Sequence, residues 1–158
     1  MPHQHTNMTA GEWPWYQPWA RLALFSASLN VVWEMLAMSF YDGRTSGTGI
    51  GIAMCLTAAL GDVGIALGAY AIAARLSTRQ WIVRPTLLPF MTYVACGLVV
   101  TILSEYLNVH ILQRWSYRSQ MLTVAGVAML PMLQWLVLPP IVLLLSRQHL
   151  HRLLGRDL

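Results

Sequence analysis

The chain is 158 residues long, 56% hydrophobic and only 10% charged, with a formal net charge of +4 and a mean hydropathy of +0.52. An ordinary soluble domain is about one-quarter charged, so this composition excludes a globule solvated on all sides. The basic balance carries no stripe of arginines interleaved with aromatics, and a nucleic-acid partner is not expected. The partner that the composition does imply is the lipid bilayer.

Residues 1–21 read as an aromatic interfacial segment. The start, Met1-Pro2-His3-Gln4-His5, lacks the basic residues expected of a cleavable signal, and Trp13, Trp15, Tyr16 and Trp19 are of the types that settle at the headgroup level. Residues 22–146 read as an all-α domain, an integral membrane four-helix bundle. Between Arg21 and Asp42 the only charge is Glu34, between Arg44 and Arg75 it is Asp62, and between Arg84 and Arg114 it is Glu105; Arg118 to Arg147 is uncharged. Each stretch exceeds the roughly 20 residues that cross the hydrocarbon core. The pattern predicts spans over Leu22–Phe40, Ile50–Ala74, Leu87–Leu107 and Met121–Ser146.

A Gly-rich turn, Gly43–Gly51, joins the first pair of helices, an Arg-rich turn, Arg75–Pro85, the second, and the richer segment Asn108–Gln120 the third. Residues 147–158 read as a basic tail. Every basic residue is arginine. Arg21, Arg75, Arg79, Arg84, Arg147, Arg152 and Arg156 fall at one set of helix ends, and Arg44, Arg114 and Arg118 at the other. The positive-inside bias therefore expects both termini in the cytoplasm, with the chain in a bacterial inner (plasma) membrane.

An ionised carboxylate in hydrocarbon is costly, so a solitary acid inside a span is a functional-site hypothesis by default. Glu34 precedes Phe40 by six residues, about 9 Å along a helix axis. Asp62 lies near the middle of the second span and Glu105 near the end of the third. With His110, Arg114 and Arg118 in the following loop, these acids are expected to converge on one half of the bundle, as a shared pocket open to the outside. Asn30 and Glu34, and Thr101 and Glu105, are spaced i,i+4 and share helix faces. Around Asp62, Ala58, Ala59, Ala66 and Ala69 with Gly61 and the Gly64–Gly68 pair predict a close helix–helix contact. Gln134 is the strong polar group in the middle of the fourth span, with Pro131 and Pro139-Pro140 able to open a cavity beside it. Plain interhelical hydrogen bonding, worth about 1 kcal/mol or less per bond, is the competing explanation for any one acid.

Taken in order, Asn30-Val-Val-Trp33-Glu34, Gly61-Asp62, Ser104-Glu105-Tyr106-Leu107-Asn108-Val109, Arg114-Trp115-Ser116-Tyr117 and Gln134-Trp135 resemble an uncharacterised family of small four-helix bacterial inner-membrane proteins, over about Leu22 to Leu145. The resemblance implies the fold and that these polar residues belong together. It implies no activity.

Three classes of function remain open. A pocket of buried carboxylates suits binding or translocation of a small ligand, a cation or a proton. It also suits an intramembrane acid–base enzyme acting on a lipid-soluble isoprenoid, sterol-like or quinone-like substrate, with Glu34, Asp62 and Glu105 as the catalytic set and Trp33, Trp115 and Tyr117 flanking the substrate. The third class is a non-catalytic subunit, with a membrane-complex partner or a second copy of itself. The binding set common to the first two is Asn30, Trp33, Asn108, His110, Arg114, Trp115, Tyr117 and Gln134. The sequence leaves any cofactor unknown; nucleotide-loop, HExxH, GxSxG and haem-attachment motifs are lacking. Metal is not expected: the methionines Met35, Met38, Met54, Met121 and Met129 read as apolar filler, and Cys55 and Cys96 as small reduced side chains.

Overall fold

The computed structural model describes residues 16–42, 49–77 and 81–153, except for the side chains of 151 and 153. Trp13 and Trp15 of the interfacial segment, Arg44, Arg79 and residues 154–158 of the tail lie outside the described residues. Four helices dominate: α1 (Gln17–Ala37), α2 (Gly49–Arg75), α3 (Leu87–Tyr106) and α4 (Met129–Leu153). All four are long and apolar enough to cross a membrane, over Gln17–Phe40, Gly49–Arg75, Leu87–Ile111 and Met129–Leu150. Each packs on its neighbours in the chain, and α1 closes the ring against α4.

Local chemistry sets the ends. Pro18 sits in the first turn of α1, where a missing backbone N–H costs nothing, and the helix starts there, ahead of the expected Leu22. Thr86 is extended (φ −111°, ψ 162°) and turns the chain into α3, whose first turn holds Pro89. Beyond α3 the backbone widens into a π-turn, Leu107–Ile111, with Leu112 N–H bonding the Leu107 carbonyl at 2.8 Å. Gln113, at φ 50°, then takes the left-handed conformation that stops the helix.

Residues 121–128, expected to begin the fourth span, do not join it. They form a hairpin of β3 (Thr123–Val124) and β4 (Val127–Ala128), after a short pairing of β1 (Tyr41–Asp42) with β2 (Ser116–Tyr117). The reason is the turn. Ala125 and Gly126 have φ 50° and 79°, the two left-handed residues of a type I′ hairpin, which no helix accommodates. Periodicity alone could not separate this apolar stretch from helix, because its strands are only two residues long.

The largest apolar core runs through Leu22, Tyr70, Trp81, Tyr93, Trp135 and Val142. Its aromatic rings form a chain across the bundle, Tyr70–Trp81, Trp81–Tyr93 and Tyr93–Trp135, with centroids 5.4, 5.9 and 6.1 Å apart. Trp81 comes from the α2–α3 connection and is 1% exposed, so that connection tucks into the end of the bundle.

The close helix approach lies elsewhere than the glycine spacing predicts. A β-carbon on Gly64 or Gly68 would meet nothing within 4 Å, whereas one on Gly97 of α3 would collide with the Trp135 ring of α4. The GxxxG pair faces away from the bundle, and the tight contact is a single glycine under an indole. Gly97→Ala is therefore expected to lower stability by about 1–3 kcal/mol through overpacking. Gly64→Ala should be neutral or mildly stabilising, since it removes a flexible residue from a helix without a clash. Thermal unfolding of both variants in one mild detergent checks the contrast.

Candidate functional site

One cavity of about 590 Å³ lies in the half of the bundle where α1 and α3 end and α2 and α4 begin. Its walls include Glu34 from α1, Asp62 from α2 and Glu105 from α3, so the three solitary acids share one space. Asn108, Arg114, Trp115 and Gln134 line it as well. Asn30 and Tyr117 each stand one hydrogen bond behind the wall. Trp33 packs in an adjoining cluster with Ala37, Tyr41, Met121 and Ala128. His110 is not brought in: it is exposed, its Nε2 lies 2.9 Å from the Gly126 carbonyl, and its ring rests against Tyr106.

Each acid is held differently. Asp62 Oδ2 accepts a 2.8 Å bond from the Gln134 amide, which also donates to Asn30 Oδ1 at 2.6 Å. Asn30 in turn donates to the Ser26 carbonyl and hydroxyl, both at 2.9 Å. A polar line thus runs from α1 through α4 to α2 inside the bundle. Asp62 was expected inside a tight contact of small residues; instead it reaches across to Gln134 at the cavity, although Ala59, Ala66 and Ala69 on the same helix are buried.

Glu105 takes two phenol donors, Tyr117 Oη at 2.7 Å and Tyr41 Oη at 3.4 Å. The β1–β2 pairing sets this up, because Tyr41 and Tyr117 are directly opposite in register and their rings lie 5.7 Å apart. The Tyr117 oxygen also accepts the Ala128 backbone N–H at 3.3 Å. Burial, followed by the hydrogen bond to Glu105 and that carboxylate's negative charge, pushes the Tyr117 hydroxyl above its ordinary value, with the Ala128 N–H pulling the other way. Tyr117 is accordingly a protonated donor throughout the neutral range.

The arginines do not pair with Glu105. Arg114 donates to Asn108 Oδ1 at 3.2 Å, and Asn108 is itself fixed by bonds to the Ser104 carbonyl and hydroxyl at 2.7 and 3.3 Å. Arg118 forms an exposed ion pair with Asp42 at 3.1 Å that ties the rim together. The third acid, Glu34, is 9% exposed, and its backbone carbonyl accepts both the Met38 N–H and the Cys55 thiol, the latter at 3.6 Å.

One group escaped sequence reasoning, and a second was seen there only as a helical neighbour. Tyr41 follows the first span and meets Glu105 from the far side of the chain, a contact with no local signature. Thr101 is visible as a helical neighbour of Glu105; it proves 6% exposed, lines the cavity, and its hydroxyl has no hydrogen-bond partner among the described residues. Among the described residues, no three His, Cys, Asp or Glu side chains gather in a way that could hold a metal ion.

Four spans around a polar interior define a multi-pass membrane protein. Comparison with known protein families, curated proteins and solved structures finds no match for the chain.

The Glu105 cradle makes a graded prediction. A hydrogen bond to a charged group is worth about 1.5–3 kcal/mol, so Tyr117→Phe should destabilise by roughly that amount. Tyr41→Phe, which removes the longer bond, should cost less. Unfolding midpoints of the two variants in the same detergent test the order.

Proposed function

We propose that this bundle binds a small organic cation in its acid-lined cavity and exchanges it for protons, with the cavity facing away from the arginine-rich ends and so toward the outside of the cell. The observation that carries the reading is three carboxylates on one 590 Å³ space, against a single basic residue, Arg114, among the described wall residues. A space of that size is on the scale of ligand pockets of about 300–1,000 Å³ and is far larger than a bare ion needs. The aromatic wall of Trp115 and Tyr41 supplies faces that attract organic cations. The unpartnered Thr101 hydroxyl offers a hydrogen bond beside them.

In this mechanism Gln134 and the tyrosine pair hold Asp62 and Glu105 in place, and ligand charge replaces protons on the carboxyls. Protonation removes the attracting charge, so affinity falls as pH falls. The test uses tetraphenylphosphonium binding to the full-length protein in mild detergent. Saturable binding that weakens toward acid pH is expected, and losing one carboxylate contact through Glu34→Gln should raise Kd about tenfold or more. Binding that ignores both pH and the amide variants of all three acids would sink the proposal.

The second reading is an acid–base enzyme acting on a lipid-soluble substrate. It is supported by the wall of Ala53, Thr57 and Gly61, spaced i,i+4 along α2 and all exposed, beside the carboxylates. Such an enzyme predicts a lipid precursor that accumulates in a deletion strain and is cleared by the wild-type chain but not by Asp62→Asn. Unchanged lipid extracts would count against it.

A further inference from the structure

A second cavity, of about 200 Å³, lies at the opposite, arginine-rich end, between the α2–α3 connection, α3 and α4. Ile82, Phe90, Pro140 and Leu144 give it apolar walls, and Trp81 and Arg147 are the polar-bearing residues on its lining. Both carry unmet donors. Among the described residues, the Trp81 indole N–H has no partner although the side chain is 1% exposed, and Arg147 Nε–H is buried without one. A buried donor left unsatisfied is costly, so the pair implies an acceptor that the described chain does not supply.

The surroundings say what kind. Arg21, Arg75, Arg84, Arg147 and Arg152 all lie at this end, with no acidic residue among the described ones there. Leu87, Leu88 and Leu144 near the cavity are exposed, at 75%, 64% and 52%, and present an apolar surface to the surrounding medium. A free aqueous anion would gain nothing from apolar walls, and a neutral lipid nothing from the arginine.

We infer that this cavity is a binding site for an anionic phospholipid, with an acyl chain against Phe90, Pro140 and Leu144 and the phosphate on Arg147 near the Trp81 N–H. A basic pocket between transmembrane helices with an apolar flank has the chemistry that recognises such headgroups. The site is separate from the acid-lined cavity and does not depend on the function proposed for it.

The test is thermal unfolding of the full-length protein in mild detergent with added phosphatidylglycerol, with phosphatidylcholine of the same chains, and with inorganic phosphate. Phosphatidylglycerol is expected to raise Tm, and the other two to leave it unchanged. The rise should vanish in Arg147→Gln and in Leu144→Trp, which fills the groove without changing charge. It should persist in Arg152→Gln, which removes the same charge from an exposed position. Equal responses to both lipids, a response to inorganic phosphate matching that to phosphatidylglycerol, or equal losses in the two arginine variants would overturn the site. Native mass spectrometry of the wild-type protein gives a reading that needs no variant: selective retention of phosphatidylglycerol over phosphatidylcholine supports the site, and equal retention refutes it.

Discussion

The carboxamide of Gln134 joins three helices at the centre of the bundle, donating to Asn30 of α1 and Asp62 of α2 from its own place on α4. In hydrocarbon no water stands by to satisfy a stray donor or acceptor, so both N–H bonds of that amide must find protein partners. Meeting that demand fixes the rotation of all three helices at once. It sets which face of α2 carries Asp62 inward and which face carries Gly64 and Gly68 outward. The polar interior and the apolar exterior are then two sides of one constraint.

The remaining helix, α3, is held by other means. α3 reaches α4 through Gly97 under the Trp135 ring, and it reaches the rim through Glu105 and its two tyrosines. Packing secures one end of the contact and charge-assisted hydrogen bonding the other. Between them the walls stand apart, and the cavity occupies that gap. Asp62 and Glu105 are supported there by amide and phenol donors from the wall itself and from Tyr117 just behind it.

Much of the architecture was legible because the bilayer forces a simple code: long apolar stretches between arginines mark the spans, and one acid per span marks the polar interior. The gathering of Glu34, Asp62, Glu105, Asn108, Arg114, Trp115 and Gln134 around one space follows from helix spacing and from α1 and α3 running the same way. What could not be read lies where the rules are not periodic. Residues 121–128 look like the start of a span until two consecutive left-handed backbones turn them into a hairpin. The Gly64–Gly68 spacing signals a close approach, yet a lone glycine at 97 makes it, because only the facing side chain decides. Tyr41 was invisible as a site residue, since a pairing of β1 with β2 delivers it and nothing in its own neighbourhood announces that pairing.

That pairing is only two residues long on each side, yet it sets both phenols of the Glu105 cradle. Strand side chains alternate faces, so the two phenols share a face only while Tyr41 and Tyr117 stay opposite; a slip of one residue would turn one of them away and leave Glu105 a single phenol donor. The hold on that carboxylate is therefore set by the register of two short strands as much as by the identity of the two tyrosines.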